Sequence, residues 1–231
     1  MDKGFGKYDV YAVAGSIYCY RDSNVLKNRF GLRDSAKLRA VEADISLLRQ
    51  RELLESPIHG RFTISHLCRI HRYLLGDIYP FAGHLRREDI MKGATRFLAH
   101  GEIPHKLTAL LSQLREENWL SGFDFDRFVK RSAYYFAELN YIHPFREGNG
   151  RATREFMRLL FLKNGYEVDW AAVPAEDLLD AMEWSVYDTE KLQDILRKCL
   201  IVLVSGVRDP VLSGATNRFL SENRKPIDRI S

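Results

Sequence analysis

Twelve consecutive residues, His143-Pro-Phe-Arg-Glu-Gly-Asn-Gly-Arg-Ala-Thr-Arg154, bring together a histidine, a carboxylate, two glycines and three arginines. With a helix starting at Asn149 or Gly150 after a tight turn, the glycines let the backbone approach a ligand closely. The unpaired first-turn N–H groups then point outward, with the positive end of the helix dipole behind them. That is an anion cradle, and phosphate is its common occupant. Arg151 and Arg154, three residues apart, share a face of the first turn, with Arg158 one turn further along. Guanidinium groups match phosphate oxygens with paired donors, so the segment reads as a polyphosphate site. Glu147 is its only acid. Bare phosphate would repel that carboxylate, whereas a Mg²⁺ between the two would attract both, since this ion takes one or two carboxylates plus phosphate oxygens. His143 has an unperturbed pKa near neutrality and suits removal of a proton from an attacking hydroxyl. Pro144 after it fixes the chain direction and discourages helix before it. The chemistry so described is nucleophilic attack on phosphorus. A single histidine is more often structural and a helical arginine more often solvated, so it is the combination that carries the reading.

These residues need elements to hold them. Leu38, Val41, Ile45 and Leu48 recur at helical steps, which predicts an amphipathic helix over about 34–53. Ser65 starts a second, with Leu67, Ile70, His71 and Leu74 in register before Gly76. Two short segments about Lys92-Gly93, within 85–98, predict a hairpin. Helical periodicity returns over 103–119 and again over 124–139, the second apolar on a wide face and therefore central. The helix after the quoted stretch puts Ala152, Phe156, Leu159 and Leu160 on its core side and stops near Asn164-Gly165. Further helical patterns cover about 174–184 and 188–204. The fold class is mainly α, a helical bundle with a small β-hairpin. Residues 1–34 form a lead-in packed on the core, 35–204 the catalytic domain, and 205–231 a linker or tail leading toward a further domain.

The chain's 231 residues favour one hydrophobic core, and 45% hydrophobic with 29% charged residues excludes global disorder. A net charge of +4 is compatible with binding nucleotides or acidic partners and decides nothing by itself. Cys19, Cys68 and Cys199 are odd in number and widely spaced, so neither a disulfide framework nor a zinc site is expected, and a reducing cytoplasm is the simplest location. No signal-peptide pattern opens the chain and no apolar run reaches membrane-spanning length, so no membrane association is expected.

The quoted stretch resembles the signature of the Fic family, His-Pro-Phe-x-Asp/Glu-Gly-Asn-Gly-Arg-x-x-Arg, at every defining position. The resemblance covers roughly residues 35–200 and implies a Fic-type bundle with the hairpin as a flap beside the active-site loop. It implies a protein adenylyltransferase, which moves AMP from ATP to a Ser, Thr or Tyr hydroxyl of a target protein and releases pyrophosphate. On that resemblance His143 is the general base and Glu147 the Mg²⁺ ligand. Gly148, Asn149 and Gly150 form the anion hole, Arg151 assists, Arg154 holds the γ-phosphate, and Phe145 packs beneath the loop. Lys92, Gly93, Thr95, Arg96 and Phe97 are the flap residues that clamp an extended target segment, which suits strand addition to an open edge; a plain structural hairpin is the other reading of the same residues. Tyr187, in Trp184-Ser-Val-Tyr-Asp188, is the candidate for stacking on adenine.

Many family members carry an inhibitory helix with the pattern Ser/Thr-x-x-x-Glu-Gly/Asn. Here only Glu117, Glu147 and Glu222 precede Gly or Asn, and Gln113, His143 and Arg218 stand four residues before them. Inhibition is therefore expected from a separate antitoxin-like partner contacting Arg154, or not at all. The family includes toxins and effectors delivered into host cells, which adds that destination to the cytoplasm. Two other readings use the same residues: a Fic-type transferase of a phosphoryl, UMP or phosphocholine group, and a nucleotide- or nucleic-acid-binding module without catalysis. The basic helix 150–164 lacks the clustered aromatics that single-strand stacking needs, so nucleic acid is not expected as a partner.

Overall fold

The computed structural model describes residues 15–92 and 95–203. Seven helices dominate these residues: α1 (Ser35–Glu55), α2 (Ile64–Leu75), α3 (Ile103–Glu116), α4 (Phe125–Ile142), α5 (Asn149–Lys163), α6 (Ala175–Trp184) and α7 (Glu190–Cys199). Strands β1 (Met91–Lys92) and β2 (Thr95–Arg96) pair antiparallel, as do β3 (Tyr166–Val168) and β4 (Leu200–Val202). The expected mainly helical class with a small hairpin is what forms. Polar side chains set several starts: Asp34 Oδ1 accepts from the amides of Ala36 and Lys37, Thr63 Oγ1 from His66, and Asp124 Oδ1 from Arg127.

The helices that bear the site sit in the middle. α4 buries Phe128, Val129, Ala133, Tyr135 and Phe136, and α5 buries Ala152, Phe156, Met157, Leu160 and Phe161, in one shared core. α2 packs on α5 and α1 on α2, while α7 lies on α4 and α6 on α7. The turn between α4 and α5 is therefore held from both sides by well-packed helices.

Three expectations are corrected. The helix expected over 188–204 stops at Cys199, because β-prone Leu200, Ile201 and Val202 find partners in Tyr166–Val168 just beyond α5. The helix expected to 119 ends at Glu116, and Trp119 takes a left-handed backbone with φ of 52° in the short turn of helix that follows. In α1 the stripe turned inward is not Val41, Ile45 and Leu48. Leu48 is exposed, Val41 and Ile45 are half-buried, and Glu42 and Ser46 are buried beside Leu38 and Leu53. The lead-in from residue 15 packs beside α2, with Arg29 N bonded to Ile78 O at 2.8 Å, whereas the rest of the lead-in and the tail 205–231 lie outside the described residues.

Candidate active site

α4 ends on His143, whose backbone is left-handed at φ 46° and ψ 62°. Non-glycine residues rarely hold that conformation unless their surroundings impose it. The surroundings here are explicit. Arg86, nearly fully buried, donates from Nε to His143 O at 2.8 Å, from Nη1 to Glu88 O at 2.8 Å and from Nη2 to Ile142 O at 3.3 Å and to Leu98 O. Its own amide donates to Pro144 O at 2.9 Å. One cation thus satisfies carbonyls at the negative end of α4 and fastens the segments on both sides of the hairpin to the loop.

His143 is 5% exposed and its ring stacks on Phe97, with ring centroids 3.8 Å apart and 19° between planes. Its Nδ1 lies 3.0 Å from Asn140 O. A carbonyl only accepts, so in the neutral ring Nδ1 carries the hydrogen and Nε2 is the acceptor nitrogen, the form a general base requires.

The loop beyond is braced by its own residues. Asn149 pairs with the Phe145 backbone through two bonds of 2.8 Å, with Oδ1 accepting from the amide and Nδ2 donating to the carbonyl. Phe145 stacks on His71 at 3.8 Å and 12°. Gly83 N donates to His71 Nδ1 at 2.8 Å, which leaves Nε2 as the donor to Glu147 O, also at 2.8 Å. Gly148 turns the chain at φ 76° and is the N-cap of α5 with no side chain to bond the first-turn amides. A Cβ built on Gly150 would stand 3.2 Å from Arg154 Nη1, which places that guanidinium against the first turn of α5.

The other expected residues divide. Glu147 is buried, its Oε1 accepting from Gly148 N at 2.8 Å and lying 3.4 Å from Arg151 Nη2. Arg151 is committed to α1, donating to Glu42 and, at 3.0 Å, to Ser46 Oγ. Burial works against its charge, but Glu42 and then Glu147 more than offset that and hold its pKa above the usual arginine value. Arg158, read as a continuation of the basic face, instead pairs with Glu155 at 2.7 Å and Leu53 O at 2.9 Å. Phe97 is buried beneath the hairpin and Arg96 is exposed; Lys92 Nζ reaches Glu183 at 3.8 Å. Lys92 pairs with Thr95 across the hairpin, and Gly93 lies outside the described residues. Tyr187 is 80% exposed, and its only described ring neighbour is Trp184 at 5.8 Å.

Sequence reasoning missed Arg86, Glu42, Ser46 and Tyr79, whose partners are remote in the chain. His71 was visible as a member of an apolar stripe, and a buried histidine there is a signal. Burial, acting before all other influences, pulls its pKa from 6.5 down to about 3. Between those values the unfolded chain binds a proton that the native state refuses. Stability from this group is therefore complete above pH 6.5 and is lost as pH falls toward 3. Urea unfolding between pH 7 and pH 4 should show that decline. His71→Gln should reduce the slope without abolishing it, because burial lowers the His66 pKa as well; an unaltered slope would contradict the assignment.

Residues 61–161 match the Fic/DOC family. The chain is 35% identical over 212 residues to the protein adenylyltransferase VbhT of Bartonella schoenbuchensis, an alignment that takes 91% of this chain and 44% of that protein. The chain thus spans less than half the length of that relative. It is 36% identical over 194 residues to a probable protein adenylyltransferase Fic of Salmonella typhimurium, covering 83% of this chain and 96% of the relative. Among solved structures, the effector BepC of Bartonella tribocorum with bound AMPPNP superposes with a TM-score of 0.75 at 25% identity, over 80% of this chain and 96% of that one. A Fic domain of Bartonella quintana with bound ADP gives 0.77 at 25% identity, over 81% and 96%.

Proposed function

The chain belongs to the Fic/DOC family, and from that premise we propose that it transfers AMP from ATP to a Ser, Thr or Tyr hydroxyl of a target protein with release of pyrophosphate. The target oxygen bonds to the α-phosphorus as the bond from that phosphorus to the bridging oxygen breaks. The hydroxyl proton passes to His143 Nε2, and the leaving group departs as pyrophosphate. The observation that carries the reading is the His143 ring, fixed by Asn140 O with Nε2 as acceptor, one braced turn away from a helix start capped only by glycine. Arg154 lies against that helix start and is assigned the far phosphates, which suits its paired donors. Gly148 and Gly150 let the nucleotide approach the backbone, while the Asn149 side chain keeps the turn closed. Arg151 contributes charge from behind the turn.

A divalent ion riding on the nucleotide fits the loop. Among the described residues no group of three or more His, Cys, Asp or Glu offers a metal held by protein alone, whereas Mg²⁺ bound to phosphates asks for one or two carboxylates, and Glu147 is there. When bound, Mg²⁺ would neutralise charge that develops on the phosphates. Lys92, Thr95 and Arg96, together with Gly93, are assigned to pairing with the target's extended segment, with Phe97 packed on His143 below them. Tyr187 remains the candidate contact for adenine; its exposure leaves its ring accessible. A separate small inhibitor that sets a glutamate against Arg154 is the regulatory partner this reading assigns. Among the described residues no helix is long and apolar enough to cross a membrane; the assigned place of action is the cytoplasm, that of a host cell included, as for the translocated effectors.

The test uses ATP labelled at the α- or the γ-phosphate. Label from the α-phosphate alone should appear on protein, with labelled pyrophosphate released from the γ-labelled substrate. Protein-bound γ-label would instead indicate phosphoryl transfer.

A further inference from the structure

The loop that joins α4 to α5 is braced largely through its backbone: His143 O and Pro144 O by Arg86, Phe145 by Asn149, and Glu147 O by His71. Arg146 differs. It occupies the position that the Fic signature leaves open, yet it is 4% exposed, and its Nε donates to Glu88 Oε1 at 2.9 Å. A guanidinium that has given up water requires oxygen partners of fixed position. Glu88 supplies one of them from a side chain that is itself largely buried.

The same carboxylate also faces the lead-in. Oε1 accepts from Ser16 Oγ at 2.7 Å and Oε2 from Ile17 N at 3.1 Å, residues 72 and 71 positions earlier in the chain. The lead-in is anchored at this point by two further bonds of 2.9 Å, from Arg87 N to Tyr18 Oη and from Lys27 Nζ to Ile17 O. Glu88 O in turn accepts from Arg86 Nη1 at 2.8 Å. One residue therefore touches both Arg86 and Arg146, and three donors from two remote segments fix where its carboxylate lies. A buried ion pair is a weak device for stability, because apolar residues of similar volume often serve as well or better. Setting the place of a loop is a use that apolar residues would not supply.

We propose that Glu88 is a positioning residue for the active-site loop: it ties Arg146 to Ser16 and Ile17, so that the lead-in is part of what holds the loop in its reactive geometry. The inference rests on the AMP-transfer reading for what that loop does.

Amide hydrogen exchange of the whole chain, read by mass spectrometry, reports the loop without turnover. Glu88→Gln keeps the side-chain length but leaves one oxygen for three donors and sets an amide nitrogen against them. Exchange over residues 143–149 should quicken by about tenfold, with α3 within about twofold of wild type. Single-turnover transfer from α-labelled ATP to lysate protein should fall by about tenfold or more, because slight misplacement of reacting groups costs up to about 10²-fold. A role confined to overall stability would quicken exchange in α3 and the loop alike and leave the rate per folded molecule unchanged. Ser16→Ala removes one donor and leaves both charges, and should quicken loop exchange by about threefold. Added to Glu88→Gln, it should change exchange by no more than about twofold, since both act through one carboxylate. Wild-type loop exchange in Glu88→Gln, an unchanged transfer rate, or independent effects of the two substitutions would overturn the inference. Should circular dichroism show Glu88→Gln unfolded, Ser16→Ala decides: faster exchange confined to the loop supports the inference and wild-type exchange overturns it. Absence of label transfer by the wild-type chain would remove the AMP-transfer reading, whereas wild-type loop exchange in Glu88→Gln would remove the role of Glu88 alone.

Discussion

Replacing His143 with alanine should lower AMP transfer by about 10²–10⁴-fold, the range expected for loss of a general base, while AMPPNP binding stays within about twofold. Binding is expected to survive because the phosphates are assigned to the first turn of α5 and to Arg154, whereas the imidazole is held by Asn140 O and the Phe97 ring. The substitution has a structural side. Alanine would keep the left-handed backbone at φ 46° that histidine already bears, without a polar side chain to bond locally, and Phe97 would lose its stacking partner. His143→Asn separates these effects, because asparagine tolerates the left-handed conformation but does not act as a base near neutral pH. Equal loss in both variants assigns the effect to proton transfer, and recovery of transfer in the asparagine variant would contradict it. Single-turnover rates with labelled ATP make the comparison.

Gly148→Ala should be the most damaging small change in the loop. The residue sits at φ 76°, and a Cβ there would come 2.1 Å from Leu75 Cδ1 and 3.6 Å from Arg151 Nη2. The backbone strain and the overlap in a filled core together predict about 2–4 kcal/mol lost from folding. The loop cannot move aside cheaply, since His71 grips both Phe145 and Glu147 O. Urea unfolding measures the stability loss, and transfer activity should fall with it because Glu147 and the helix start are displaced together. Gly150→Ala provides the contrast. Its φ is not positive, and among the described residues the nearest atom to its new methyl group would be the far end of Arg154, at 3.2 Å. Stability should be kept or slightly raised by better helix propensity, with the cost appearing as a higher KM for ATP as Arg154 is pushed aside. Equal stability losses in the two variants would show that the left-handed turn and Leu75 do not limit the loop.

Much of this site is local in the chain and could be read from it. The two glycines, the carboxylate between histidine and helix, and the arginine spacing all lie within twelve residues, and the helix starts where they require. The central helices were legible because wide apolar faces such as that of Phe128, Val129 and Phe136 have one periodicity and one destination. What positions the loop was not legible, since it is built from contacts between distant segments. Arg86 meets His143 O across 57 residues, His71 meets Glu147 O across 76, and Glu42 meets Arg151 across 109. Periodicity also misled in α1, where Val41, Ile45 and Leu48 suggested an apolar inner stripe. The demand of buried Arg151 for oxygen partners turned Glu42 and Ser46 inward instead. The end of α7 failed for a related reason: nothing local announces that Leu200–Val202 will find a strand partner beyond α5.

The most direct test is mass spectrometry of a cell lysate incubated with the purified chain and ATP, with the His143→Ala protein as its control. The account predicts peptides whose serine, threonine or tyrosine side chains carry an adenylyl group after treatment with the wild-type chain and none after treatment with the variant. Adenylyl groups at equal abundance in both, or hydroxyls carrying a phosphoryl group in place of AMP, would contradict it.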